Sequence, residues 1–249
     1  MLTHGVIFKN QLKPCGHNME EIFENYVETS FDGYQQADFK FKQFEINYLP
    51  LFPPPKNGIL LDIGIGRGEM LSCMKKWGYD YTGVDISPST VRFCQSIGLE
   101  CEQTNDTIDF LQRKPNFYSL ITCLDVLEHI PRQDTISFLK AIRHSLAEGG
   151  KAIIQVPNLQ SPFGYLHHFN DFTHVTGFVE HSLAQVLLSA GFKKFELHGF
   201  EEIYQSGAKA MIRKILRHFY RKAIRFLRKI NCNPNPAILD PVFYAIVYK

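Results

Sequence analysis

The residues best suited to chemistry fall into three groups, and the first is a glycine turn with an acidic partner. Asp62-Ile63-Gly64-Ile65-Gly66-Arg67-Gly68-Glu69 closes an apolar run, and Asp85 closes the next one, 17 residues past Gly68. Glycine tolerates positive φ and lets a ligand approach the backbone with no Cβ in the way. A turn at the C-terminal end of a strand is where open α/β sheets take their ligands. A carboxylate at Asp85 can accept two hydrogen bonds from the hydroxyls of a ribose. The rival reading is a dinucleotide loop, but Glu69 stands where the third glycine of that fingerprint belongs, and an acidic side chain repels a pyrophosphate. Asp62 suits a cationic ligand carrying an amino group and a sulfonium. A tight strand–helix turn with no ligand is the plain structural alternative.

The second group is Asp125-Val126-Leu127-Glu128-His129, and the third runs from Pro157-Asn158 through the polar and aromatic stretch His167 to Phe178. His129 can take a proton near neutrality, its ordinary pKa being about 6.5. The alternative leaves Asp125 and Glu128 as caps and His129 as a packing residue. The third group carries His167, His168, Asp171, Thr173 and His174 in a long loop, and long loops in compact domains are usually functional. Its plain alternative is a loop stapled over a sheet by side chain–backbone bonds. No three-ligand carboxylate–histidine set is evident, so no metal is expected.

These groups need a scaffold that brings them to one edge. From Gly58 onward, short apolar runs alternate with helical ones. Strands are expected at Ile59–Ile63, Tyr81–Asp85, Leu99–Gln103, Ser119–Leu124, Lys151–Val156, Phe195–Gly199 and Val242–Tyr248. Helices are expected at Glu69–Trp77, Pro88–Ile97, Thr107–Gln112, Thr135–Leu146, His181–Ala190 and Gly207–Ile230, with Gly149-Gly150 as a turn. Strands spaced by helices imply right-handed βαβ crossovers, a parallel sheet and helices on both faces. Residues 1–55 are expected to form a helical preface or lid, with helices over Met19–Glu28 and Ala37–Leu49 and the run Pro50 to Pro55 as a stop before a domain over 56–249.

The segments LDIGIGRGEM, GVDIS, CLDVLEHI and LAEGGKAIIQVPN resemble the class I S-adenosylmethionine-dependent methyltransferases, over about Gly58 to Gly199. The resemblance implies an α/β, Rossmann-like sheet of seven strands, mostly parallel, with helices on both faces and an antiparallel last strand. It implies S-adenosyl-L-methionine as cofactor, with Asp62, Gly64, Gly66 and Gly68 at its methionine part and Asp85 at its ribose. Asp106 with Thr107 would meet adenine, and Leu124 begins the segment flanking cofactor and substrate. The Asp171–Thr173–His174 grouping resembles methyltransferases of bacterial surface-polysaccharide clusters. On that footing His174 or Asp171 is the base ahead of His129, and the acceptor is a hydroxyl of a sugar, glycan or lipid-linked precursor. A quinone-like lipid or other small molecule is the alternative acceptor, since CLDVLEHI also resembles those enzymes. A non-catalytic cofactor-binding scaffold is the alternative of another class.

Bulk properties add limits. The 249 residues carry a net charge of +2 and 45% hydrophobic residues, which favours no acidic or nucleic-acid partner. Six scattered cysteines with no Cys-x-x-Cys pair argue against a disulfide framework or zinc site and suit the reducing cytoplasm. The expected location is cytoplasmic, with a peripheral place at the inner membrane face. That last point rests on an insertion at about 203–238. Its apolar residues recur at helical spacing among nine lysines and arginines, and no acidic residue occurs from Ile203 to Leu239. Such a helix can lie on an anionic membrane surface or pack on the sheet or in a homodimer; nucleic acid is the weaker option because aromatic interleaving is thin.

Overall fold

A computed structural model of the chain describes residues 38–200 and 207–249. The expected helix Met19–Glu28 lies outside the described residues. The strands are β1 (Ile59–Ile63), β2 (Tyr81–Asp85), β3 (Cys101–Gln103), β4 (Tyr118–Leu124), β5 (Leu146–Pro157), β6 (Lys194–Gly199) and β7 (Val242–Tyr248). They form one sheet in the order β3-β2-β1-β4-β5-β7-β6. Pairings from β3 to β5 are parallel, and β7 runs antiparallel to both β5 and β6.

The helices are α1 (Asp38–Asn47), α2 (Glu69–Lys76), α3 (Pro88–Ser96), α4 (Thr107–Gln112), α5 (Thr135–Ser145), α6 (Gly164–Phe169), α7 (Glu180–Ser189) and α8 (Ala208–Ile230). The two-residue period of the strands sorts their side chains into two cores. Leu61, Ile63, Ile121, Cys123 and Ile154 join the cluster on one face, and Leu60, Leu120, Ile153 and Ile246 the cluster on the other. Central strands covered on both faces must be apolar at nearly every position, which is why ILLDI reads as a continuous run. Local chemistry starts the helices where the sequence does. Ser87 caps α3 by accepting from the Thr90 amide at 3.3 Å with Pro88 in the first turn, and Asp106 caps α4 through the amides of Ile108 and Asp109.

Three expectations are corrected. Gly149-Gly150 is not a turn between elements; it lies inside β5, beside a register shift opposite Tyr118–Leu120. A Cβ on Gly150 would stand 2.8 Å from the Ala147 carbonyl oxygen, so the pair accommodates a crowded bulge. Pro50 does not stop the chain: α1 ends at Asn47, and Pro50 sits within a 3-10 turn, Leu49–Leu51, where its missing amide is no loss. The segment after Pro157 was expected as loop throughout, yet it contains α6. Gly164 opens that helix because a Cβ there would lie 1.7 Å from the Asn158 carbonyl oxygen.

Candidate active site

At the C-terminal edge of β1, β2, β4 and β5 the elements enclose a cavity of about 900 Å³. Its walls include Asp62, Gly64, Gly66, Asp85 and Lys40, whose ammonium is 3.9 Å from Glu69, at one end, and Phe44, His129, His174 and Phe200 at the other. Helix α1 contributes Phe39, Lys40, Gln43 and Phe44, so the segment ahead of the sheet closes one side.

At the first end the backbone carries positive φ at Gly64 (73°), Gly66 (50°) and Gly68 (73°), a conformation that favours glycine. A Cβ at Gly64 would also meet Val126 Cγ2 at 2.2 Å. The turn holds three carboxylates close together. Asp62 is buried, with one oxygen 2.6 Å from the Thr122 hydroxyl, which donates to it. Burial is the main cause that raises its pKa to about 8; the Thr122 bond lowers it and the charges of Asp85 and Glu69 raise it further. Asp85 accepts from the Ser87 amide at 2.8 Å, and burial raises it to about 6 against the amides of Ser87, Gly66 and Ile65. Glu69 pairs with Arg67 at 3.0 Å, whereas among the described residues neither Asp62 nor Asp85 has a cationic partner. Two buried carboxylates without a counter-charge suit a cationic ligand.

A stability prediction follows from these shifts. Both folded pKa values lie above the ordinary carboxylate value, so the folded, empty protein holds these protons longer than the unfolded chain. Their contribution is fully present below about pH 4 and is lost as pH rises through 6 and then 8. Thermal melts of the empty protein should therefore decline from pH 5 to 8.5, and Asp62→Asn should flatten the decline by roughly 1–3 kcal/mol at pH 8. An unchanged slope in that variant would show that Asp62 is not the titrating group.

The second end is built on the exit of β4. A 3-10 turn, Leu127–His129, follows Asp125, which has a φ of 56°. The Asp125 carboxylate accepts from Gln155 Nε2 at 2.9 and 3.0 Å, and Gln155 Oε1 accepts from the buried Tyr48 hydroxyl, tying the segment after α1 to the site. The backbone amides of Val175 and Thr176 donate to the Glu128 carbonyl at 2.9 and 3.0 Å, which staples the histidine-rich segment beside the turn.

Two histidines meet there, with ring centroids 4.5 Å apart. His174 Nδ1 lies 2.7 Å from the His168 carbonyl oxygen. A carbonyl only accepts, so Nδ1 holds the proton and neutral His174 keeps its lone pair on Nε2. That Nε2 is 3.8 Å from Oε1 of Glu128, a fully buried carboxyl whose oxygens have no hydrogen-bond partner among the described residues and whose pKa burial raises strongly. His129 Nδ1 lies 2.8 Å from the Thr173 hydroxyl, which donates to Asp171 at 2.6 Å. Since that hydroxyl has one proton, His129 Nδ1 donates to it, and Asp171–Thr173–His129 forms an oriented chain. Burial, with His174 second, lowers His129 to about 4, so it is neutral at physiological pH.

Of the residues singled out in the sequence, Asp62, Gly64, Gly66, Asp85, Thr107, Leu124, His129 and His174 line the cavity. Gly68 and Asp106 stand outside its lining; Gly68 shapes the turn and the Asp106 carboxylate is spent on capping α4. Asp171 reaches the cavity through Thr173 and His129. The expectation that no carboxylate–histidine set exists is corrected, because ligand-type atoms of His129, Asp171 and His174 lie within 4.8 Å of one another. The hydrogen bonds just described already orient those groups. Sequence reasoning offered a lid but missed which α1 residues line the cavity, and it missed the Tyr48–Gln155–Asp125 chain. Their residues are ordinary in type, and only tertiary packing brings them 107 and 30 residues across the chain.

A family model described as "Methyltransferase domain" matches residues 35–197, most of the chain. The chain belongs to this methyltransferase family. It carries an S-adenosylmethionine-dependent methyltransferase domain, and the residues at the first end fit that donor. The Asp62 and Asp85 carboxylates would answer its positive charges and ribose, and the glycine backbone, Thr107 and Leu124 would border it. When bound, the donor supplies a methyl carbon activated by its sulfonium.

The Ubiquinone biosynthesis O-methyltransferase of Xylella fastidiosa is 27% identical over 118 residues, covering 45% of this chain and 47% of that protein. Its namesake in Xanthomonas campestris is 24% identical over 132 residues, covering 51% and 54%. The chain thus spans about half the length of these curated relatives. Among solved structures, a SAM dependent methyltransferase from Archaeoglobus fulgidus has a TM-score of 0.67 at 20% identity, covering 93% of this chain and 100% of that one. The Haemonchus contortus Phosphoethanolamine N-methyltransferase 2, in complex with S-adenosyl-L-methionine, has a TM-score of 0.54 at 16% identity, covering 91% and 56%. These likenesses establish the methyltransferase fold. The finer resemblance to surface-polysaccharide enzymes gains no support from these relatives.

Proposed function

We propose that this methyltransferase methylates a hydroxyl oxygen on an apolar, ring-bearing acceptor, with His174 as the base. The observation that carries the reading is the character of the second cavity end. Phe39, Phe44, Ile130, Val175 and Phe200 wall it, and His174 enters with its tautomer set by the His168 carbonyl. Apolar walls favour an acceptor whose burial is itself stabilising. His174 would take the proton of the acceptor hydroxyl on Nε2 as that oxygen is methylated; the donor would supply the methyl group and keep on sulfur the electron pair of the broken bond. Positioning provides most of the acceleration, since the methyl carbon is already activated. Asp171, Thr173 and His129 act as a positioning chain that holds the neutral His129 ring against His174. The ubiquinone-biosynthesis relatives support an acceptor of this kind, and a sugar remains the second reading because Lys40, Gln43 and His167 also reach the cavity.

Acceptor kinetics with labelled donor test the reading. The expected result is a kcat/KM for an alkyl-substituted phenol roughly a hundredfold above that for a free or nucleotide-linked sugar. The reverse order would replace the apolar acceptor with a glycan.

A further inference from the structure

Helix α8 is amphipathic, and it faces the wrong way for a helix packed on its own domain. None of its 23 residues is buried. Its least exposed side chains include Arg217, Tyr220, Arg221, Ile224 and Arg228, at helical spacing, and these mark the side turned to the protein. Arg217 donates to the Asp240 carboxylate at 2.6 Å, Arg221 donates to the same oxygen, and Arg228 donates to the Pro234 carbonyl at 3.0 Å. The helix is therefore docked largely by arginines. At about 100° per residue, Ile212, Ile215, Phe219, Phe226 and Ile230 lie roughly 140–180° around from Arg217. Phe219 and Phe226 are 64% and 63% exposed. Lys209 borders that stripe on one side and Lys222 and Lys229 on the other, whereas Arg225 donates to the Ala237 carbonyl at 3.3 Å.

We propose that α8 is an in-plane anchor that seats this methyltransferase on an anionic lipid bilayer, with the Ile212–Ile230 stripe immersed and the flanking lysines at the headgroups. No helix among the described residues is long and apolar enough to cross a membrane, so the contact is with the surface. Charge complementarity selects the occupant. With no acidic residue from Gly207 to Leu239, a second copy would bring like charges together with nothing on the helix to pair them, whereas anionic headgroups neutralise both edges. The protein-facing side of the helix leads toward the active site: Tyr220 stacks on Phe163 at 5.7 Å, next to α6, whose His167 lines the cavity. At the end of α6 and just past it, Phe169 and Phe172 are 76% and 84% exposed. The inference does not depend on the acceptor proposed above.

Co-sedimentation of the full chain with vesicles tests it, using phosphatidylcholine alone or mixed with phosphatidylglycerol. The anchor predicts binding to the mixed vesicles at least tenfold tighter than to neutral ones, weakened by added salt. It also predicts a loss of at least tenfold in Phe219→Ser/Phe226→Ser, whose affinity for S-adenosylmethionine should match the parent and so show intact folding. Equal partitioning of parent and variant would overturn it. So would a dimer in solution that dissociates in the double variant with no vesicle binding, which would assign the stripe to a second copy. Tighter binding to duplex DNA than to vesicles, untouched by the two substitutions, would assign the basic edges to nucleic acid.

Discussion

Replacing Asp85 with Ala is expected to weaken S-adenosylmethionine binding roughly a hundredfold, read by calorimetry on the full chain. The estimate comes from two hydrogen bonds to an ionised acceptor, each about 1.5–3 kcal/mol before the desolvation of the carboxylate is set against it. At neutral pH the group is mostly ionised even with its pKa raised to about 6. Part of the loss will come from the turn itself, since the Ser87 amide and those of Gly66 and Ile65 bond to this carboxylate. Asp85→Asn separates the two contributions: it keeps an oxygen for the amides and removes the charge, so it should retain the thermal stability that Ala loses. Parent-like affinity in Asp85→Ala would remove the donor site from this end of the cavity.

His174→Ala is expected to lower turnover by about 10²–10⁴-fold while leaving donor affinity within error, the range typical for loss of a general base. The separation follows from geometry, because His174 borders the apolar end and makes none of the bonds that shape the glycine turn. His129→Ala should act more mildly, through the orientation of its neighbour; burial already holds that ring neutral at physiological pH. Turnover that survives in His174→Ala and vanishes in His129→Ala would transfer the base to His129.

Much of the donor end was legible in the sequence because its demands are local. Positive φ at Gly64, Gly66 and Gly68 can be anticipated from residue type, and Asp62 and Asp85 sit at strand ends marked by apolar runs. The parallel pairing of β1 to β5 follows from the alternation of elements, and the antiparallel β7 appears where the resemblance placed it. The acceptor end was legible only as a list of polar residues. Its arrangement depends on non-local bonds, such as Val175 and Thr176 on the Glu128 carbonyl, which no spacing along the chain announces. Glu128 shows the limit well. Its type suits a helix cap, yet it is fully buried and neither carboxylate oxygen has a hydrogen-bond partner among the described residues. The basic helix is the opposite case: its amphipathic pattern was plain, but which side faced the protein needed Asp240, the residue that holds Arg217 and Arg221.

The central claim is that two buried, uncompensated carboxylates make the donor end a site for the cationic S-adenosylmethionine. Calorimetric titration of the donor in two buffers of different ionisation enthalpy, near pH 7, tests it most directly. With Asp62 raised to about 8 and Asp85 to about 6, binding of a cation must expel protons. The predicted result is one saturable site per chain with net proton release, and release that falls sharply in Asp62→Asn. No saturable binding, or binding with the same proton balance in the parent and in Asp62→Asn, would contradict it.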